Sequence, residues 1–271
     1  MLTRRSISAG LTAAVLSGAP LAAARGRTPF PVWPNGARAA VSLTYDDGLD
    51  SQLDNAMGPL EAAGLKATFF ITRDNAEARA SDWASVAKTS GHEFGNHTVT
   101  HPCDLRPYTA ASFARRELLP MDAWLDEHTG RNAKRLYAYP CSVTDLGPGD
   151  ANQQLARYEA LLKTTGFRGA RTCDEDDPNS PRYARADPYR LRASATTSDK
   201  DDPELATAYV RDAMKRGDWA ILVFHDILER RTGPGETSIA THDAVLRWLA
   251  SQPVWCAPMG QVLDHIAGQP V

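Results

Sequence analysis

The sequence predicts an α/β fold: a mainly parallel sheet flanked by helices, closed into a barrel or left open. Three observations carry that expectation. Short apolar, β-branched runs alternate with helical patterns along most of the 271 residues, which implies repeated βα units. Asp46-Asp47, His97/His101 and His225 each follow a separate predicted strand, so a parallel sheet would gather them at one mouth. No internal repeat, low-complexity tract or heptad register competes with this reading.

The first strand is the run in which Val41, Leu43 and Tyr45 alternate with Ser42 and Thr44 before Asp46-Asp47-Gly48. A helix over 51–63 stops at Gly64, and a strand follows over 66–72. A short helix over 81–89, opened by Ser81 and closed near Gly91, leads to the segment 93–97. The longest helical pattern runs over 109–128 and is interrupted by Pro120. A strand over 135–140 runs into a loop. Helices over 151–164, 203–216 and 238–250 then alternate with strands over 167–172 and 219–224. Residues 173–202, rich in Asp, Pro, Ser and Arg, read as a solvated loop or a surface insertion near the active face.

Residues 1–24 have the layout of a cleavable secretory signal: Arg4-Arg5, an apolar stretch from about Ala9 to Leu21, and Ala22-Ala23-Ala24. Arg4-Arg5 also raises a twin-arginine route, though Ser-Ile-Ser is a loose fit to it. The expected organisation is a signal over 1–24, an extended proline-rich arm over 25–38 and one domain over 39–271. Cleavage would remove two arginines and no acid, taking the formal charge from −3 to −5. An acidic protein has no electrostatic reason to bind nucleic acid or anionic lipid. No membrane anchor is expected after cleavage, and the place of action is the periplasm or the extracellular space. The four cysteines, Cys103, Cys141, Cys173 and Cys256, contain no C-x-x-C pair, which argues against a zinc ribbon or a thioredoxin-like site.

Each motif has an ordinary structural reading beside its chemical one. Asp-Asp-Gly is common turn chemistry, yet adjacent carboxylates at a strand end can divide into a metal ligand and a base. His97-Thr-Val-Thr-His101-Pro102 is expected to be a loop that brings two imidazoles to one metal or buries two hydrogen-bonded histidines. Tyr137-Ala-Tyr-Pro140-Cys141 and Leu222-Val-Phe-His225-Asp226 complete the set.

Taken in order, these motifs resemble those of the NodB-homology polysaccharide deacetylases, carbohydrate esterase family four, from about Ala39 to Ile266. The resemblance implies a distorted (β/α) barrel with fewer than eight regular strands. It implies Asp47, His97 and His101 as ligands of a divalent metal, zinc foremost, with cobalt or another transition metal in some members. Asp46 would be the general base, the backbone N–H of Cys141 would help hold the oxyanion, and His225 would be the general acid. Tyr139 and Pro140 would contact substrate. The partner implied is an acetylated polysaccharide or oligosaccharide, N-acetylated or O-acetylated. A catalytically silent carbohydrate-binding protein and an amidohydrolase of small cyclic amides are the alternatives.

The match departs from the family at two places. Ala138 stands where an arginine commonly orients the base, and Arg171 is a candidate to supply the guanidinium from a neighbouring strand, the alternative being a surface arginine. The carboxylate expected behind the catalytic histidine is assigned to Asp187, although the usual tryptophan after it is missing; Asp226 should point to the opposite face. If the loops after His101-Pro102 and Pro140 line one mouth, Cys103 and Cys141 can form a disulfide across it. Thiolate ligation of the metal is the other reading of those cysteines.

Overall fold

The computed structural model describes residues 33–173 and 175–269. The expected signal and the arm up to residue 32 lie outside them. The remainder of the arm is less extended than its prolines suggest, because Pro34–Gly36 forms a 3-10 turn. Trp33 is buried, donates its indole N–H to Gly217 O at 3.0 Å and packs against Trp255 and His265.

Six strands form the main path of the sheet: β1 (Ala40–Asp47), β2 (Ala67–Ile71), β3 (Glu93–Asn96), β4 (Leu136–Ala138), β5 (Gly169–Arg171) and β6 (Trp219–Phe224). Their spatial order is β5-β4-β3-β2-β1-β6 with every pairing parallel. A two-residue pairing of β1 with Trp255–Cys256 supplies the seventh strand. Asp226–Leu228 and Glu236–Ser238 pair separately beyond β6.

What closes the curve comes from the region read as a solvated loop. Leu191 pairs with Arg171 on β5, and Ser194 pairs with Leu222 on β6, so residues 191–194 span the gap between the edge strands. Leu191, Ala193 and Ser194 are buried, and two short helices, Pro181–Ala186 and Thr196–Lys200, flank them. The polar composition hid this because polar residues, Asn179, Ser194, Thr197 and Ser198, are buried here beside short apolar ones. The result is a distorted (β/α) barrel with fewer than eight regular strands.

Period-two alternation on β1 sorts the two faces. Val41, Leu43 and Tyr45 point outward into the layer packed by the helices, while Ser42, Thr44 and Asp46 point into the barrel. The interior is completed by Phe70, Leu136, Ala138, Leu191, Ile221 and Val223. Ser42 donates to Ala257 O at 2.8 Å and Thr44 to Leu222 O at 2.9 Å, so the hydroxyls on this face are paired inside the barrel.

Two helices begin differently from their sequence pattern. A wide turn of i→i+5 type over Gln52–Ala56 precedes the helix Met57–Ala62, and another over Ala114–Leu118 separates Ala110–Phe113 from Leu119–His128. Pro120 sits in the first turn after the wide segment, where its missing N–H forfeits little.

Gly95 on β3 is required by close approach: a Cβ there would lie 2.4 Å from the Phe70 ring and 3.1 Å from Leu136 O. Gly95→Ala is expected to lower stability by about 1–3 kcal/mol in urea unfolding, because Phe70 is already fixed against its other neighbours. An unchanged midpoint would show that the ring can yield.

Candidate active site

The parallel sheet brings the C-terminal ends of β1, β3, β4, β5 and β6 to one mouth. Asp46 reaches inward from β1 and is 2 % exposed. Its Oδ1 accepts a hydrogen bond from Arg171 Nη2, and the same nitrogen donates to Thr44 Oγ1 at 3.2 Å. Arg171 is fully buried and its guanidinium lies 4.7 Å from the centre of the Phe70 ring. The register pairs Arg171 with Ala138 on β4. A small residue at 138 therefore leaves room for the arginine of the next strand. Arg171 is not a surface residue, and its guanidinium stands on the Asp46 carboxylate.

Burial pushes the Asp46 carboxyl up, but the charge of Arg171, those of His97 and His225, and the Arg171 hydrogen bond together hold it below the ordinary carboxylate range. Oδ2 is 3.8 Å from His97 Nε2. Asp46 is thus ionised at neutral pH with one oxygen committed to Arg171.

Asp47 leaves the strand in a left-handed conformation, φ 77°, which turns its side chain toward the mouth. Its backbone carbonyl is held by Thr72 N, Thr72 Oγ1 and Asn75 Nδ2. Its Oδ1 is buried without a hydrogen-bond partner. His97 Nε2 lies 3.5 Å and His101 Nε2 3.4 Å from that oxygen. His97 Nδ1 donates to Ala138 O at 2.9 Å, so the unprotonated Nε2 faces the cluster. Burial lowers the His97 pKa to about 4, outweighing the nearby carboxylates. These three side chains offer one carboxylate oxygen and two imidazole nitrogens within 4.8 Å of one another. An orphaned buried carboxylate oxygen facing two imidazole nitrogens, one on a neutral ring, suits a divalent cation.

The loop 97–101 is bent by left-handed Thr98 (φ 73°) and His101 (φ 54°). Cys103 and Cys141 are joined by a disulfide with Cα atoms 5.5 Å apart, which ties this loop to the 3-10 turn Pro140–Ser142. Cys103 Sγ is 3.7 Å from His101 Nδ1.

His225 follows β6, and its Nδ1 is buried without a partner. Asp187 is not brought to it. That residue ends the helix Pro181–Ala186, four residues before the Leu191 that pairs with Arg171, and its carboxylate lies 3.4 Å from Arg190. Asp226 points away from His225 as alternation requires and accepts from Ser51 at 2.6 Å. Tyr139 also departs from expectation. Its ring is 1 % exposed among Tyr137, Tyr158 and Leu146, and its hydroxyl donates to Tyr189 O at 3.1 Å. Residues 137 and 139 share the outer face of this segment, so the ring cannot meet substrate; Pro140 is buried as well.

Sequence reading missed Gln52. Its side-chain amide, carried by the wide turn over Gln52–Ala56, donates to Asp46 O and to His225 O and so ties the ends of β1 and β6 together. Wide turns of this kind concentrate at functional sites, but an isolated Gln in a helical pattern gives no signal of its own.

Residues 34–158 match a family model described as polysaccharide deacetylase. That segment belongs to the polysaccharide deacetylase family. The matched segment holds Asp46, Asp47, His97, His101 and Cys141 and ends before Arg171 and His225. No curated protein matches the sequence. Among solved structures, a Mycobacterium smegmatis protein assigned to the polysaccharide deacetylases superposes with TM-score 0.66 at 19% identity, over 88% of this chain and 93% of that one. PuuE allantoinase gives TM-score 0.62 at 16% identity, over 91% and 96%. The catalytic domain of a peptidoglycan N-acetylglucosamine deacetylase from Eubacterium rectale gives 0.54 at 18%, over 84% and 92%. At these identities the superpositions establish the shared deacetylase-type barrel.

Two outcomes follow from this geometry. Arg171→Leu leaves Asp46 buried without its counter-charge and should cost about 3–5 kcal/mol in urea unfolding; a loss under about 1 kcal/mol would mean that the pair is not desolvated. His92, His97 and His242 are each lowered to about 4 from 6.5, burial being the first cause in all three. The unfolded chain therefore binds more protons, and the metal-free protein should lose stability steadily as pH falls from about 6.5 to about 4. A flat unfolding midpoint across that window would contradict the burial of these rings.

Proposed function

We propose that this protein is an exported, metal-dependent deacetylase that hydrolyses N-acetyl or O-acetyl groups of a polysaccharide or oligosaccharide. One observation carries the reading: two adjacent carboxylates meet the same His97 Nε2, Asp46 at 3.8 Å and Asp47 at 3.5 Å, yet only Asp46 is neutralised by a guanidinium. Asp47, with His97 and His101, would hold the divalent cation, zinc being the best fit to two imidazoles and a carboxylate and cobalt an accepted substitute. Such a cation, when bound, supplies Lewis acidity to an acyl carbonyl and to water.

The remaining steps belong to the chain. Asp46, kept ionised by Arg171, takes the proton of the attacking water. The oxygen of that water adds to the acetyl carbon, and the backbone N–H of Cys141 stabilises the charge on the carbonyl oxygen. The bond from the acyl carbon to nitrogen or oxygen then breaks, and His225 gives the leaving atom its proton. Gln52 holds base and acid at a fixed separation by grasping both backbone carbonyls.

Export is supported by the arrangement of Arg4-Arg5, apolar stretch and alanines at the start of the sequence and by the Cys103–Cys141 disulfide, which suits an oxidising compartment. No helix among the described residues is long and apolar enough to cross a membrane.

The test is acetate release by metal-stripped protein, with and without zinc or cobalt, on N-acetylated and O-acetylated oligosaccharides, with a small cyclic amide as control. Release should require metal, and Asp46→Asn should reduce it by about 10²–10⁴-fold while metal still binds. Metal-loaded protein that releases no acetate but opens the cyclic amide would replace this reading with the amidohydrolase one.

A further inference from the structure

A buried carboxylate beside the metal loop has no part in the scheme above. Glu117 lies in the wide turn Ala114–Leu118 and is 3 % exposed. It forms no ion pair among the described residues. Its oxygens instead take three hydrogen bonds: the backbone N–H of Thr100 at 3.0 Å, the Thr100 hydroxyl at 3.1 Å and the Tyr108 hydroxyl at 2.9 Å. Every donor comes from the chain on either side of His101 and Cys103.

The rest of the loop is fixed from other directions. Asn96 Oδ1 accepts from Thr98 N, Thr98 Oγ1 accepts from His101 N, and the carbonyls of Thr98 and Val99 receive Arg73 N and Asp74 N. Thr100 is the gap in that scheme, and Glu117 fills it. The wide turn contributes twice, because Leu118 O, in the same turn, accepts from Asn96 Nδ2 at 3.0 Å.

Burying a carboxylate is costly unless it is fully hydrogen-bonded. A side chain needed only to fill space would be apolar. We propose that Glu117 is a positioning residue that holds Thr100, and through it the strained His101, in the geometry the metal requires. The proposal rests on Asp47, His97 and His101 being the ligand set.

The experiment measures zinc affinity of the metal-stripped protein by competition with a chelating dye. Glu117→Ala should weaken binding about 10–100-fold, the range for partners that orient metal ligands. Tyr108→Phe, which removes one donor and leaves no cavity, should weaken it about two- to tenfold. Glu117→Gln should stay within about threefold of the wild type, because the two hydroxyls can turn to accept from the new amide. Glu159→Ala removes a buried carboxylate away from the site, paired with Arg190 and Lys163, and should lower stability without changing zinc affinity. Wild-type affinity in both Glu117→Ala and Tyr108→Phe would overturn the inference. If Glu117→Ala does not fold, Tyr108→Phe decides alone. A wild-type protein that binds no zinc would remove the ligand assignment and this inference together, whereas loss of acetate release with zinc affinity intact would touch only the proposed reaction.

Discussion

A fully buried arginine must find its counter-charge in the same interior, and in this barrel Asp46 supplies it. Arg171 arrives from β5, crosses above Ala138 and stacks on Phe70 before reaching Asp46 and Thr44. Each neighbour is chosen by that path. Ala138 is small because the guanidinium passes there, Gly95 has no side chain because Phe70 occupies its space, and Thr44 offers an oxygen instead of a methyl. An ion pair this deep contributes little to stability unless every polar group around it is matched. Its value lies in holding one carboxylate charged and aimed.

The mouth is built from backbone conformations that most residues avoid. Asp47, Thr98, His101, Cys141 and Ser142 all have positive φ, between 52° and 77°. Each such residue costs on the order of 1–3 kcal/mol unless the surroundings impose it. The constraints are visible: Thr72 and Asn75 on the Asp47 carbonyl, Asn96 and Thr98 inside the loop 97–101, and the disulfide between Cys103 and Cys141. Strain at the tips is thus supported by hydrogen bonds from rigid elements below them, which lets loops hold side chains as firmly as strands do.

How much of this was legible in the sequence depended on the range of the signal. Strand-end placement of Asp46, Asp47, His97, His101 and His225 followed from local alternation and survived into three dimensions. The contact of Arg171 with Asp46 was accessible because the missing arginine at 138 left a question that a neighbouring strand could answer. Asp187 was harder to place because its motif lacks the tryptophan, and nothing local reveals that it closes the helix Pro181–Ala186, four residues before Leu191 joins the barrel. Tyr139 failed for a simpler reason: an aromatic next to a functional proline looks like a substrate contact, yet its partnership with Tyr137 and Tyr158 is set by residues far away. Gln52 and Glu117 were invisible because a wide turn has no composition that distinguishes it from a helix.

The division of labour between the two aspartates comes down to one backbone angle. On a regular strand Asp46 and Asp47 would face opposite sides, and only one could approach the histidines. The left-handed φ of Asp47 breaks the alternation at the last residue of β1 and swings its carboxylate around to the side that Asp46 already occupies. Gly48 continues the reversal at φ 70°, where a Cβ would lie 2.8 Å from Ile71. Two carboxylates therefore come within 4 Å of His97 Nε2 from consecutive positions. Two like charges facing one nitrogen repel each other. Arg171 relieves that repulsion on the inner side, and a divalent cation would relieve it on the outer side. The guanidinium on Asp46 and the orphaned oxygen of Asp47 are what distinguish the two carboxylates, and the proposed division into base and ligand rests on that difference.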